Sequence, residues 1–552
     1  MIAPGNLRAV ARQTFSQCLR MKIAAAFIVL LGVLLAVLPF GMKGDGTTAG
    51  NIRTFLSYSV SATGVLLSLV TVLAAARVVT SDVEEKQIYL LAVKPLARWQ
   101  YIVGRWLGVL LLDAMLLAIA AGVIYAVAWN MRQRPAADAT DLRAIETEIF
   151  AARREVKPQP PDIDGAVAAR LAVLRENGQL QTTIEEYQLQ GNLTRQEAEQ
   201  RVLREIQKNE LAKRETAGPG KKITWTFQGL RLDEAAAAAQ GTVQAEAKAQ
   251  RMFRISAPRE FLGKLMYSRP VNVNGIGGWV QFVGEKDFDV QFAAEDMPRA
   301  EMQRLAKGAT AELLAEPTFQ FRYNVIPVDR RDVTTLYRQI EFYSPAGVLE
   351  AYLRGDSPVR TVTTISVPAT GSLRDGAFRV EYYNPPYQPV AGAERKAEPS
   401  PAVRIAARDV SVLYRVAGFG VNFLQAMLLI FIQLAFLAAL AVFLASFLSF
   451  PVATMAVLVL LGAGMLLGWL ADSIQWTSGI TNSLGTFMVF VTRLLMPSLA
   501  ETSPSDTLVD GIYISWPVVG RTAGLAMGVR GVLYLAAGCL IFHRRELARV
   551  QV

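Results

Sequence analysis

Few side chains in this sequence are of the kinds that do chemistry. The single histidine, His543, stands beside Arg544, so one chain cannot build a histidine-based triad or a multi-histidine metal site. The two cysteines, Cys18 and Cys539, fall in the N-terminal segment and the last apolar run, which leaves no disulfide framework between them. Gly218-Pro219-Gly220-Lys221-Lys222 invites comparison with a phosphate loop, whose backbone amides and lysine cradle phosphate. That pattern needs Ser or Thr after its Gly-Lys pair and a glycine five positions before its second glycine; Lys222 and Glu215 stand there instead, and a basic turn is expected. Paired acids, Glu146 with Glu148 and Glu185 with Glu186, could share acid–base work, but they lie in polar helical stretches and read as solvated faces. No catalytic residue, metal ligand or cofactor site is expected, and the chain is not expected to be an enzyme.

The elements that would carry any function are apolar. Of 552 residues, 52% are hydrophobic and 19% charged, against about 25% charged in average chains. The surplus is segregated: long apolar runs fill 1–131 and 413–552, while 132–412 reads like an ordinary soluble domain. The net charge of +10 is spread along the chain with no aromatic-interleaved patch, which argues against nucleic acid as a partner.

About six spans of near bilayer length are expected, at 23–40, 58–79, 106–129, 416–447 and 452–471, with the last ending at Phe542. The last is the weakest, since Arg521 and Arg530 lie near or inside it and arginine in lipid is costly. The stretch 484–499, interrupted by Arg493 and Pro497, reads as re-entrant or surface-lying. Residues 6–20 place Leu7, Val10, Ala11, Thr14, Phe15, Cys18 and Leu19 on one helical face, an amphipathic start suited to a membrane surface. Basic residues flank 23–40 on one side, surround 80–100 and close the chain. By the positive-inside rule both termini and the 80–100 loop are therefore cytoplasmic, which puts 132–412 outside.

Within that insert, 166–215 is rich in helix formers and its Gly191-Asn192 break suggests a helical hairpin. Strand-like alternation follows at 223–227, 279–282, 288–292, 319–325, 340–343, 361–367 and 378–382. Short strands punctuated by Gly, Pro, Asn and Asp argue for β-sandwich-like lobes beside the helices. The expected fold is thus an α-helical polytopic membrane protein with an inserted α+β domain.

Polar residues inside spans are informative, because hydrocarbon penalises them. Asp113 lies in the third span; Asn422, Gln425 and Gln433 fall near one face of the fourth. They could line a substrate route or form hydrogen bonds between helices.

The most distinctive stretch is Ser81-Asp82-Val83-Glu84-Glu85-Lys86-Gln87-Ile88-Tyr89-Leu90-Leu91-Ala92-Val93-Lys94-Pro95-Leu96-Ala97-Arg98, followed by Gly104-Arg105-Trp106-Leu107-Gly108. It resembles the membrane subunits of type 2 ATP-binding-cassette (ABC) exporters, where an acidic residue, a Leu-Leu pair, a proline and a Gly-basic pair bridge the second and third spans. The amphipathic start, the Ala445-Ser446-Phe447-Leu448-Ser449 break and the closing Phe542-His543-Arg544-Arg545-Glu546-Leu547 are similar too.

The resemblance implies a permease subunit in a bacterial cytoplasmic membrane, with Asp82, Glu84, Glu85, Lys86, Lys94, Pro95 and Arg98 in the loop that couples to an ATPase. A short charged helix there can enter a groove on the ATPase and pass its closure on as a rigid-body push. ATP would be bound by that separate subunit, and the family pattern implies a second permease subunit, identical or related. The outer insert departs from the family, whose members have short loops; it could receive cargo, dock an envelope partner or cap an exit. The alternative is a membrane-anchored binding or signalling protein that transports nothing.

Overall fold

Hydrocarbon offers a backbone no hydrogen-bond partners, so an apolar run in a membrane closes its N–H and C=O groups within a helix. In the computed structural model the described residues are 4–41, 46–84, 97–136, 141, 144–191, 194–230, 266–273, 276–283, 287–292, 318–328, 332–368, 376–388, 398–474, 487, 490, 492, 495 and 503–544. First in order are helices α1 (Pro4–Leu19), α2 (Lys22–Gly41), α3 (Thr48–Glu84) and α4 (Arg98–Arg132). A π-helical turn, Ala144–Ile149, leads to strand β1 (Ala151–Val156) and three polar helices, α5 (Asp164–Glu176), α6 (Gln179–Gly191) and α7 (Arg195–Arg214).

Next come β2 (Thr216–Ala217), β3 (Lys222–Phe227), β4 (Met266–Val273), β5 (Ile276–Val283), β6 (Asp287–Phe292), β7 (Thr318–Asn324) and β8 (Ile326–Pro327). They are followed by β9 (Thr335–Tyr343), β10 (Leu349–Pro358), β11 (Val362–Pro368), β12 (Phe378–Tyr383), β13 (Tyr387–Gln388), β14 (Glu398–Pro399), β15 (Val403–Arg404) and β16 (Ser411–Gly418). Helices return with α8 (Phe419–Ala445), α9 (Phe450–Ile474), α10 (Pro504–Val509), α11 (Trp516–Ala523) and α12 (Val532–Arg544), the last two joined by a π-helical stretch, Gly524–Gly531.

Contacts divide the chain into two units, one of Met1–Ala152 with Gly418–Val552 and one of Arg153–Ala417. Among the described residues of the first, four helices are long and apolar enough to cross a membrane: Thr48–Asp82, Arg98–Arg132, Phe419–Ala445 and Trp516–Ile541. α2 is a further apolar helix of 20 residues, and Phe450–Leu466 a shorter apolar one. α3 packs on α4 and α8, with Ala74, Ala75 and Ala76 on α3 and Ala438, Ala439 and Ala441 on α8 all buried. Small side chains are what lets helices approach closely where lipid supplies no hydrophobic drive. Val29, Val33 and Val37 of α2 stay exposed.

Several boundaries differ from the sequence reading. α3 and α4 run 37 and 35 residues, past the apolar cores at 58–79 and 106–129, because their polar end turns continue the same helices. The helix expected from 416 begins at Phe419, since 416–418 complete β16. The 484–499 stretch lies outside the described residues apart from isolated positions. The first seam between units falls at 152/153 rather than 131/132, and polar anchoring explains why. Asp141 caps α3, accepting from the amides of Thr48 and Ala49 at 3.1 and 2.7 Å, and Glu148 pairs with Arg53. Phe150 packs on Phe419, ring centroids 4.8 Å apart.

In the second unit, one sheet has the order β1-β16-β7-β11 and a larger one β3-β12-β9-β10-β4-β5-β6. They share a core: Phe319, Phe321 and Tyr323 of β7 with Val412 and Tyr414 of β16 on one side, Trp225, Phe227, Ile340, Phe342, Phe378 and Val380 on the other. Two sheets facing one apolar layer make a sandwich. Strands β1, β4, β10 and β16 escaped the sequence reading, as did the two-residue strands β2, β8, β13, β14 and β15. The adjacent Arg153-Arg154 in β1 and the turn-like Gly355-Asp356-Ser357-Pro358 in β10 hide the alternation.

The expected hairpin is instead three helices, α5 to α7, around Val167, Ile184, Ala198, Val202 and Ile206. The extra break is at Asn177-Gly178, where Gly178 takes φ +69°, a left-handed conformation that favours glycine as a helix terminator. α7 opens with a capping box, Thr194 accepting from the Glu197 amide while Glu197 accepts from the Thr194 amide.

Candidate functional site

The sequence places a charged loop between α3 and α4, and the structure reveals how the ends of those helices are held. Asp82, near the end of α3, is buried and accepts through Oδ2 from Nη2 of Arg105 and from the Tyr101 hydroxyl, both on α4. Nη1 of Arg105 donates to Thr14 Oγ1 at 3.0 Å and to Gln17 Oε1 at 2.9 Å, both on α1. Gln17 Nε2 in turn donates to Ser81 Oγ at 3.4 Å. The guanidinium also lies over the Tyr101 ring, 5.2 Å from its centroid. One arginine thus joins three helices. A buried ion pair needs extra hydrogen bonds to offset the desolvation of both charges, and α1 supplies two of them.

α1 reaches the arginine because α4 is notched for it. A Cβ on Gly104 would come within 2.7 Å of the Val10 side chain, and one on Gly108 within 2.3 Å of Thr14 Cβ and 2.7 Å of the Ala11 carbonyl. No side chain fits there, so glycines one helical turn apart set the contact. The buried residues of α1 are Val10, Ala11, Thr14 and Cys18. Much of the face read as a membrane-surface stripe therefore packs on α4. Leu19 is exposed.

The loop's own residues divide. Glu85, Lys86, Lys94 and Pro95 lie outside the described residues. Glu84 is exposed and pairs with Arg77 of the same helix at 3.1 Å, and Arg98 is exposed at the start of α4. Asp82, grouped with them by sequence, belongs to the buried clamp between α3 and α4. Thr14, Gln17 and Tyr101 were not anticipated as partners. A recoverable signal was the Gly104–Gly108 spacing, which aligns Arg105 beside the α1 groove.

The polar residues expected within the third and fourth spans are tied to different neighbours. Asp113 accepts from Thr71 Oγ1 at 2.9 Å, a bond between α4 and α3, and its other oxygen has no partner among the described residues. Asn422 donates to the Ile512 carbonyl at 2.9 Å and accepts from the Ile514 amide at 2.9 Å, fastening the start of α8 to the segment before α11. Gln425 donates to the Tyr513 hydroxyl at 3.4 Å. Gln433 is half-buried, about 16 Å further along the helix from Asn422.

Outside this unit, Gly218–Lys222 is a turn that leads into strand β3, with Gly220 at φ +74°; no helix follows to receive phosphate. Glu185 and Glu186 are exposed on α6. Glu148 departs from the solvated reading through its pairing with Arg53. Among the described residues no group of three His, Cys, Asp or Glu side chains could hold a metal ion. No protein-family model and no curated protein matches the chain.

Proposed function

We propose that this chain is the membrane-spanning permease subunit of an ABC-type exporter in a bacterial cytoplasmic membrane, moving substrate outward as a separate ATPase cycles. In this reading α2, α3, α4, α8, α9 and the α11–α12 run are six spans. The N-terminus and the 85–96 segment face the cytoplasm, and residues 153–417 lie outside. The permease works as a pair of like subunits with two ATPases.

The observation that carries it is the Asp82–Arg105 clamp. A loop that merely sets topology needs no rigid base. Here the two helices that flank the loop are cross-tied by a buried ion pair and braced by α1. A push on residues 85–96 would therefore move α3 and α4 as one body instead of bending either helix. Glu84, paired with Arg77, and Arg98 stand exposed at the edges of that segment. In this reading ATP hydrolysis belongs to the partner, which fits the course of the glycine-lysine turn at 218–222 into a strand.

Replacing Glu84 and Glu85 with lysine tests the reading. The variant should insert normally and lose co-purification with the ATPase; undiminished recovery of the ATPase would remove the coupling role. Reporter fusions at Gly191 and Gly371 should be active only outside the cytoplasm.

A second reading draws on the pairwise tying of Asp113, Asn422 and Gln425. Polar groups spent on helix contacts suit a device that relays a cytoplasmic signal to a ligand- or partner-binding outer domain without carrying anything through.

A further inference from the structure

Arg338 is a charged side chain in the interior of the β sandwich. It takes a core-facing position on β9, between Leu336 and Ile340, and is 2% exposed. The guanidinium lies over the Tyr323 ring, 4.9 Å from its centroid. Its Nε and Nη1 nevertheless meet no acceptor among the described residues. The neighbouring Tyr382 hydroxyl, also buried, has no partner there either. Tyr323 Oη lies 3.4 Å from Ser357 Oγ, which is 3.3 Å from Thr363 Oγ1.

These groups gather at one end of the sandwich. Tyr323, Ser357 and Tyr382 are near the last residues of β7, β10 and β12, and Arg338 and Thr363 near the first of β9 and β11. The antiparallel register places Ser357 opposite Leu336, and Thr363 opposite Tyr323. Asp356 is exposed on the other face of β10, where strand alternation puts it.

The acidic neighbour whose charge reaches Arg338 is Asp356, exposed on the strand's other face, and a buried cation so weakly compensated costs several kcal/mol. The phenols add no negative charge: burial pushes both Tyr323 and Tyr382 above the ordinary tyrosine range, so they stay protonated. The cluster is therefore rich in donors, positive, and short of an acceptor. We infer that this end of the sandwich binds a small carboxylate, whose two oxygens suit the planar guanidinium fork, with the Tyr382 hydroxyl as a further donor. The inference concerns the β unit alone and stands whether or not the chain transports.

Thermal unfolding of the full-length protein in detergent tests it, with sodium acetate replacing sodium chloride at constant ionic strength and sodium phosphate as a separate arm. Acetate should raise the unfolding midpoint of the wild type saturably and beyond chloride. R338M should show no acetate-specific rise, and Y382F should need about tenfold more acetate for half its effect. Y382F removes only an unpaired hydroxyl, so it keeps the test decisive if R338M does not fold. Equal shifts in acetate and chloride, a rise with phosphate alone, or an acetate response unchanged in Y382F would overturn the inference.

Discussion

Asp82 and Arg105 face each other across α3 and α4 with side chains 2% and 4% exposed, and α1 closes over the pair through Thr14 and Gln17. Charges so far from water are held by geometry, because each depends on the other for compensation.

Removing one partner should then be worse than removing both. A lone buried charge costs about 3–5 kcal/mol, whereas well-packed apolar replacements of a whole pair are often near neutral. D82A or R105M should lower the unfolding midpoint of the detergent-purified protein, and D82L/R105M should recover most of the loss. A double variant no more stable than the singles would mean that the pairing is not what matters.

The notch for α1 makes a sharper contrast. G108A drives a Cβ to 2.3 Å from Thr14 Cβ, while a Cβ on Gly122 of the same helix meets nothing within 4 Å. Hydrogen exchange across residues 4–19 should accelerate markedly in G108A and stay at the wild-type rate in G122A. Equal protection in both would show that α1 is not seated on α4 as described.

Asn422 should be as specific in its effect. N422L leaves the Ile512 carbonyl and the Ile514 amide unpaired, at about 1–3 kcal/mol for each buried group. Its signature is faster exchange of the Ile514 amide. Unchanged exchange there would assign the order of that segment to other contacts.

Lys222 provides the pH dependence. Glu341 and Glu381 stand directly opposite on β9 and β12, a like-charge pair that destabilises a sheet, and the Lys222 ammonium lies 2.8 and 3.0 Å from them. Its hydrogen bond to Glu341 is the main cause that pushes the lysine up, with partial desolvation opposing and Glu381 adding. A raised folded-state value means the stabilisation is complete below the unfolded lysine value of about 10.4 and fades as pH climbs through the folded one. K222M should thus be less stable than wild type by up to about 1 kcal/mol at neutral pH, the side chain being 41% exposed. On raising the pH from neutral, that deficit should hold until about pH 10 and shrink above it; a deficit that shrinks on acidification through pH 7 would contradict the assignment.

What could be read beforehand follows from which signals are local. Apolar runs located α2, α3, α4 and α8, because composition alone drives a helix in lipid, and alternation located β3, β7 and β12. Strands β10 and β1 were hidden because their pairing comes from neighbours distant in sequence, which override turn-like or charged residues. The candidate site was half legible: the stretch from Asp82 to Arg105 stood out, but the division of Asp82 from the exposed Glu84 and Arg98 depends on a contact with α1, some 65–90 residues away. Sequence spacing could not assign Asp113 to Thr71 or Asn422 to Ile512 for the same reason.

Coupling to an ATPase is tested most directly by a photo-crosslinking amino acid at Arg98, the exposed first residue of α4. Irradiation of intact cells should yield a covalent adduct with a soluble protein whose sequence carries a phosphate loop. Efficient insertion of the labelled chain with no such adduct, or adducts solely with proteins outside the cytoplasm, would contradict the exporter reading.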